Sequence, residues 1–230
     1  MSDVALQALL LDAMAQHRCP VCNVLDSMVF DELCRLQREA VVDPDTHADV
    51  VARGGYCSNH FWYLDALASP VTNAELLAPL IDGAAERLTK LAADLASNPS
   101  VLRHGAGQLA TRLGIPAACR VCDRVATWQA ALIEALLAII RDPPRAEAYA
   151  HSSGLCLPHL AQALSRGLDQ ELADYLLPVA LGQSRRLAAD LRQYVRKWKD
   201  KDRRWGPENA APRCAVEKLV GANPQRTRNG

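Results

Sequence analysis

Eight residues have the types and spacing of metal ligands. Cys19-Pro20-Val21-Cys22 is followed, after 34 intervening residues, by Cys57-Ser58-Asn59-His60. Cys119-Arg120-Val121-Cys122 is followed, after 33, by Cys156-Leu157-Pro158-His159. Two thiolates on one short turn, with a thiolate and an imidazole on another, are a tetrahedral donor set for a borderline-soft cation. Joining each CxxC to the next CxxH gives two Cys3His sites, Cys19/Cys22/Cys57/His60 and Cys119/Cys122/Cys156/His159. Four protein ligands close a site, which is the structural zinc pattern; catalytic zinc keeps a position open. The alternative is a pair of [4Fe-4S] clusters on the same residues. Clusters more often draw on cysteines grouped in one segment, so zinc is the leading assignment. Thiol–disulfide exchange at a CxxC expects a βαβ context that is not found here.

No other constellation carries chemistry. The sequence has no Gly-rich phosphate loop, no Ser/His/Asp set and no convincing pair of carboxylates, so an enzyme is the least supported class. Cys34 precedes Arg38 by four residues on an expected helix and reads as a packed thiol. Cys214, opening a short terminal helix, reads the same way. His17 stands two residues before Cys19, within reach of a ligand sulfur, but a surface histidine is the simpler reading; His47, His104 and His151 have no matched counterparts.

Helices must position these ligands. Half of the residues are hydrophobic and only 5% are aromatic, so the core is built of Leu, Ala, Val and Ile, a composition that favours helix. Apolar residues recur at helical spacing: Leu25, Met28, Val29, Leu36 and Ala40; Leu77, Leu80, Ile81, Ala84, Leu88, Leu91 and Leu95; Val125, Trp128, Leu132, Leu136 and Ile139; Leu176, Val179, Leu187, Leu191 and Tyr194. Asp43-Pro44 and Asp142-Pro143 read as breaks, and Asn98-Pro99-Ser100 as a boundary. Pro79 and Pro178 fall inside expected helices and predict either a helix start or a kink.

The second half repeats the first. Ligands, Asp-Pro breaks, glycines and the Pro79/Pro178 pair align at an offset of 100 residues at the CxxC and 99 from the breaks onward. That register predicts an all-α protein of two pseudo-repeats of about four helices, residues 1–100 and 101–199, each with its own Cys3His site. Residues 200–230 are then a basic tail with a short helix. They contain no ligand of either quartet, so the tail is expected to be dispensable for metal content.

The formal net charge is zero but unevenly placed. From Arg192 onward there are 11 Lys/Arg against 4 Asp/Glu, so the remainder is acidic. Such asymmetry is a statement about association. A protein partner is expected; residues 192–205, which mix Arg, Lys and Trp, offer a weaker case for nucleic acid or an anionic surface. No signal peptide and no transmembrane segment is read from the sequence, which places the protein in the cytoplasm, where cysteine pairs usually hold metal.

The motifs Cys19-Pro20-Val21-Cys22, Gly55-Tyr56-Cys57-Ser58-Asn59-His60, Gly154-Leu155-Cys156-Leu157-Pro158-His159 and Ala215-Val216-Glu217-Lys218-Leu219-Val220-Gly221 resemble an uncharacterised bacterial family of helical proteins with CPxC and GxCxxH signatures. The resemblance covers nearly the whole chain and departs at Arg120, where that pattern has Pro. It implies metal binding and no substrate.

Overall fold

The computed structural model describes residues 2–98, 105–116, 119–201 and 204–222, with the side chains of residues 40 and 41 left aside. The described residues are all-α. In order they form α1 (Asp3–Met14), α2 (Pro20–Val42), α3 (Pro44–Ala52), α4 (Ser58–Leu67), α5 (Pro70–Ser97), α6 (Ala106–Arg112), α7 (Arg120–Ile139), α8 (Pro143–His151), α9 (Leu157–Leu164), α10 (Gln170–Lys199), a 3-10 turn (Pro207–Ala210) and α11 (Ala211–Val220).

The Asp-Pro pairs do end α2 and α7, but each also starts a short helix that was not expected, α3 and α8. At the first, Asp43 accepts from the backbone N–H of Asp45 (3.2 Å) and Thr46 (3.3 Å), while Pro44 fills the first helical position. Proline there loses no hydrogen bond, so a residue that stops one helix begins the next. Pro79 and Pro178 lie within α5 and α10, which continue through them; neither starts a helix. Of the boundary at Asn98-Pro99-Ser100, Asn98 caps α5 and the next two residues lie outside the described ones, as does His104.

Two compact units are interleaved along the chain. Of the described residues, one unit joins residues 2–28 to residues 127–222, and the other lies within Val29–Ala126. The helices α2 and α7 therefore each contribute to both.

The first unit has the larger core. Leu10, Val21, Leu132, Ile133, Leu136, Ile139, Leu155 and Leu176 are essentially inaccessible to solvent. Each contributes roughly 1.5–3 kcal/mol relative to exposure. Polar groups in this core are tied to helix ends. Buried Gln183 on α10 donates from Nε2 to the carbonyls of Tyr149 (3.1 Å) and Ser152 (3.3 Å) at the end of α8. The Tyr149 hydroxyl accepts from the Leu155 backbone N–H at 3.3 Å. These bonds fix the turn between α8 and α9.

Gly154 sits in that turn at φ +65°, and a Cβ there would lie 1.8 Å from the Gln183 Oε1. A side chain would face both left-handed strain and a rigid buried amide. Gly154→Ala is expected to cost about 2–4 kcal/mol. Gly167 has φ +68° but open space around it, so Gly167→Ala should cost about 1 kcal/mol. Urea unfolding of the two variants checks the difference.

The second unit has a smaller core of Val29, Leu33, Leu36, Val50, Tyr56, Tyr63, Leu64, Leu76, Leu80 and Val121. Glu32 is buried here, and is neutralised by Arg35 (2.8 Å) and Arg124 (3.3 Å). Tyr56 and Phe61 meet edge to face at 5.6 Å. Beyond Leu80, α5 is mostly exposed; Ile81 and Leu88, assigned to its apolar stripe from the sequence, face solvent at 67% and 55% exposure.

Candidate metal centres

Every ligand stands at a helix start. Cys19 and Cys119 immediately precede α2 and α7, and Cys22 and Cys122 lie in their first turns. Cys57 and Cys156 are the N-cap residues of α4 and α9, with nearly identical backbones (φ −67°, ψ 163° and φ −67°, ψ 161°). His60 and His159 follow three residues later, and that spacing puts cap and third residue on the same side of the first turn. The free N–H groups and the helix dipole favour thiolate over thiol at these positions.

The quartets differ from the pairing read in the sequence. Cys19 and Cys22 converge with Cys156 and His159; Cys57 and His60 converge with Cys119 and Cys122. All eight residues read as candidate ligands fall in these two groups, but the expectation that each group closes within its own repeat is corrected: each CxxC converges with the CxxH of the other half. The register of the repeat could not reveal this, because both pairings give two Cys3His sets. Each quartet falls within one compact unit, the first in the larger and the second in the smaller.

The geometry is that of a single-ion polyhedron. In the second quartet the sulfur–sulfur separations are 3.5 Å (Cys57–Cys122), 3.9 Å (Cys57–Cys119) and 3.8 Å (Cys119–Cys122). His60 Nδ1 lies 3.3, 3.3 and 3.5 Å from Cys57, Cys119 and Cys122. In the first, Cys22 and Cys156 sulfurs are 3.7 Å apart, and His159 Nδ1 lies 3.4, 3.4 and 3.2 Å from Cys19, Cys22 and Cys156. Bonds of about 2.3 Å to sulfur and 2.0–2.1 Å to nitrogen in a tetrahedron require edges of about 3.8 Å between sulfurs and about 3.5 Å between sulfur and nitrogen.

Without a cation, each cluster crowds like charges. Burial alone would raise the Cys19 thiol, but hydrogen bonding to Cys156, Cys22 and His159 holds it well below the ordinary value. Cys22 is driven far up by its neighbours Cys156 and Cys19 and by burial. Burial works against the His159 imidazolium, yet Cys156 and Cys19 outweigh it and lift the ring to about 9. In the second quartet burial, then Cys57 and Cys119, push Cys122 up to about 12, and burial lowers His60. A cation among the sulfurs would favour their ionising together.

The surroundings of the two quartets differ. The first is fully buried, whereas His60 and Cys122 of the second are partly exposed. The tail covers the first. The Ala222 backbone N–H donates to Cys22 Sγ at 3.4 Å, and Gly221, at φ +83°, passes close to the Cys22 and Cys156 sulfurs. Lys218 Nζ donates to the carbonyls of Leu155 (2.7 Å) and Ser153 (3.2 Å), and Arg18, beside Cys19, pairs with Glu217 at 3.1 Å. Sequence reasoning took the tail as dispensable because it holds no ligand; its contacts to the sulfurs are through backbone, which carries no composition signal. Ending the chain at residue 210 is expected to leave two metals bound at saturation. It should weaken the first site about 10–100-fold, the usual effect of losing such outer contacts. Chelator competition measures this.

Arg120, the departure from the CPxC pattern, does not empty the second quartet of ligands; its guanidinium lies 3.6 Å from Asp49. Cys34 and Cys214 belong to neither quartet, and Cys214 Sγ donates instead to the His17 carbonyl at 3.5 Å. His17 itself is exposed. In the basic stretch, Tyr194 stacks on Trp205 with centroids 5.0 Å apart, and Lys197 binds Glu208 at 2.6 Å, so part of its charge is spent internally.

An all-α fold with two Cys3His quartets at helix starts defines a protein with two potential metal centres. The chain belongs to DUF6062, a family of unknown function, whose sequence profile matches residues 4–226. No curated protein and no solved structure matches it.

Proposed function

We propose that this protein is a zinc-binding helical scaffold, in which two Zn2+ ions clamp the starts of paired helices and present the folded units to a protein partner. The observation that carries the reading is the spacing of the ligand atoms. All four atoms of each quartet lie within 4.8 Å of one another, with edges that match one tetrahedral ion. In a [4Fe-4S] cluster each protein ligand binds a different iron, so the ligand atoms stand around a larger body. Supporting the structural role, each quartet supplies four protein donors and leaves no position for water or substrate. The free cysteines suit a reducing compartment, which favours the cytoplasm.

Elemental analysis of anaerobically purified protein tests this. Two zinc ions per chain in a colourless preparation are expected. A brown preparation with iron and acid-labile sulfide would replace zinc by clusters.

A further inference from the structure

The outer side of α5 carries an apolar seam. Val71, Ala78, Ala85 and Ala92 recur at every seventh residue, and Ala74, Ile81, Leu88 and Leu95 stand between them. The steps alternate three and four residues, the heptad spacing of a helix that packs along a second helix. At 1.5 Å per residue the seam runs about 36 Å. These residues are exposed, Val71 at 69% and Ile81 at 67%, except Leu95, which is half-buried. The buried residues of the helix, Asn73, Leu76 and Leu80, turn its other side to the core. A helix that is apolar on two sides is suited to being covered on both. A continuous apolar face of this length marks an interaction surface.

The composition of the seam says what covers it. Ala holds three successive positions of one row, and Ile, Leu and Leu hold those of the other. Turned about a twofold axis between Glu86 and Arg87, the seam fits itself antiparallel. Ala78 then faces the partner's Leu95, Ile81 the partner's Ala92, and Ala85 the partner's Leu88. Each layer holds one small and one large side chain, so the two helices interdigitate at an even distance. A parallel pair would alternate Ala–Ala layers with Ile–Ile or Leu–Leu layers, which ask for unequal distances. Charge agrees with the antiparallel fit. The acids beside the seam, Glu75 and Asp82, fall opposite the partner's Ala96 and the partner's Thr89, so no like charges meet. The rows flanking the seam hold no Lys or Arg, which argues against an anionic membrane as the occupant.

We propose that α5 is the interface of a homodimer, pairing antiparallel with α5 of a second copy of this chain. Such a twofold contact is isologous and closes without leaving an open seam. The pairing is independent of which metal the quartets hold.

The test is sedimentation equilibrium of the full chain with its metal. A mass twice the 25.0 kDa of one chain is expected at tens of micromolar protein. Leu88→Glu buries a charge on each side of the axis and should weaken the dimer at least about 100-fold. Leu88 is 55% exposed in the single chain, so helix content and bound metal should keep their wild-type values; if they do not, Ala92→Glu is read in its place. Ala85→Leu and Leu88→Ala should each weaken the dimer about ten-fold. The double variant exchanges small and large within the same layers and should restore it. Leu181→Glu, at an exposed position of α10, should leave the mass unchanged. A wild-type chain that stays monomeric, or a dimer that Leu88→Glu leaves intact, would overturn the proposal. So would dissociation by Leu181→Glu, or a double variant that fails to recover.

Discussion

Cys156→Ser is expected to release one of two metals and to leave Cys19 and Cys22 open to alkylation, while Cys57, Cys119 and Cys122 remain protected. The quartet it breaks is Cys19/Cys22/Cys156/His159, drawn from α2 and α9. Cys156 is wholly buried, and its site joins the start of α2 to the start of α9 in the larger core. Losing the ion removes that clamp and leaves buried sulfurs without their cation. A loss of about 3–4 kcal/mol would lower the melting temperature by roughly 10 °C in a chain of this size. Mass spectrometry of iodoacetamide-treated protein reads the pattern. Exposure of Cys119 and Cys122 instead of Cys19 and Cys22 would restore pairing within the repeat. Cys34→Ser should release no metal, since Cys34 lies in neither quartet.

Chelation should unfold the smaller unit before the larger one. Val29–Ala126 relies on few large buried side chains, and its exposed half of α5 adds little apolar burial. The other unit buries Leu and Ile across α1, α7, α9 and α10, with Val21 and Val24 of α2, and retains that core without an ion. Structural metal binding contributes its free energy directly to folding, so the unit with less core depends on it more. Hydrogen exchange after zinc removal should therefore deprotect α4 and the start of α5 by orders of magnitude, with α7 beyond Leu132 and α10 near Leu176 changed far less. Equal deprotection throughout would mean that the units fold as one cooperative block.

The residues of the two Cys/His groups were legible in the sequence because thiolate and imidazole chemistry permits few residue types and because helix geometry imposes the three-residue spacing. Helical class followed from the apolar period: Leu132, Leu136 and Ile139 are buried as that period requires. The period misled at Ile81 and Leu88, since an amphipathic stripe states which face is apolar, not whether anything covers it. Asp43-Pro44 and Asp142-Pro143 were read as stops, although a proline after an Asp is equally a helix start. The pairing of the quartets was beyond reach, because loop lengths allow either partner and the choice is made by core packing at a distance in sequence. The tail motif Ala215–Gly221 supported the family resemblance without a visible reason. Glu217, Lys218 and Gly221 supply one, as they pair with Arg18, bind the carbonyls of the α8–α9 turn and pass the ligand sulfurs.

The crossing of the ligands is the central claim, and cadmium substitution reads it most directly. In protein loaded with 113Cd, correlation of metal with proton resonances should give two cadmium signals. One should couple to the β protons of Cys19, Cys22 and Cys156, and the other to those of Cys57, Cys119 and Cys122. A cadmium coupled to Cys19, Cys22 and Cys57 together would contradict the account.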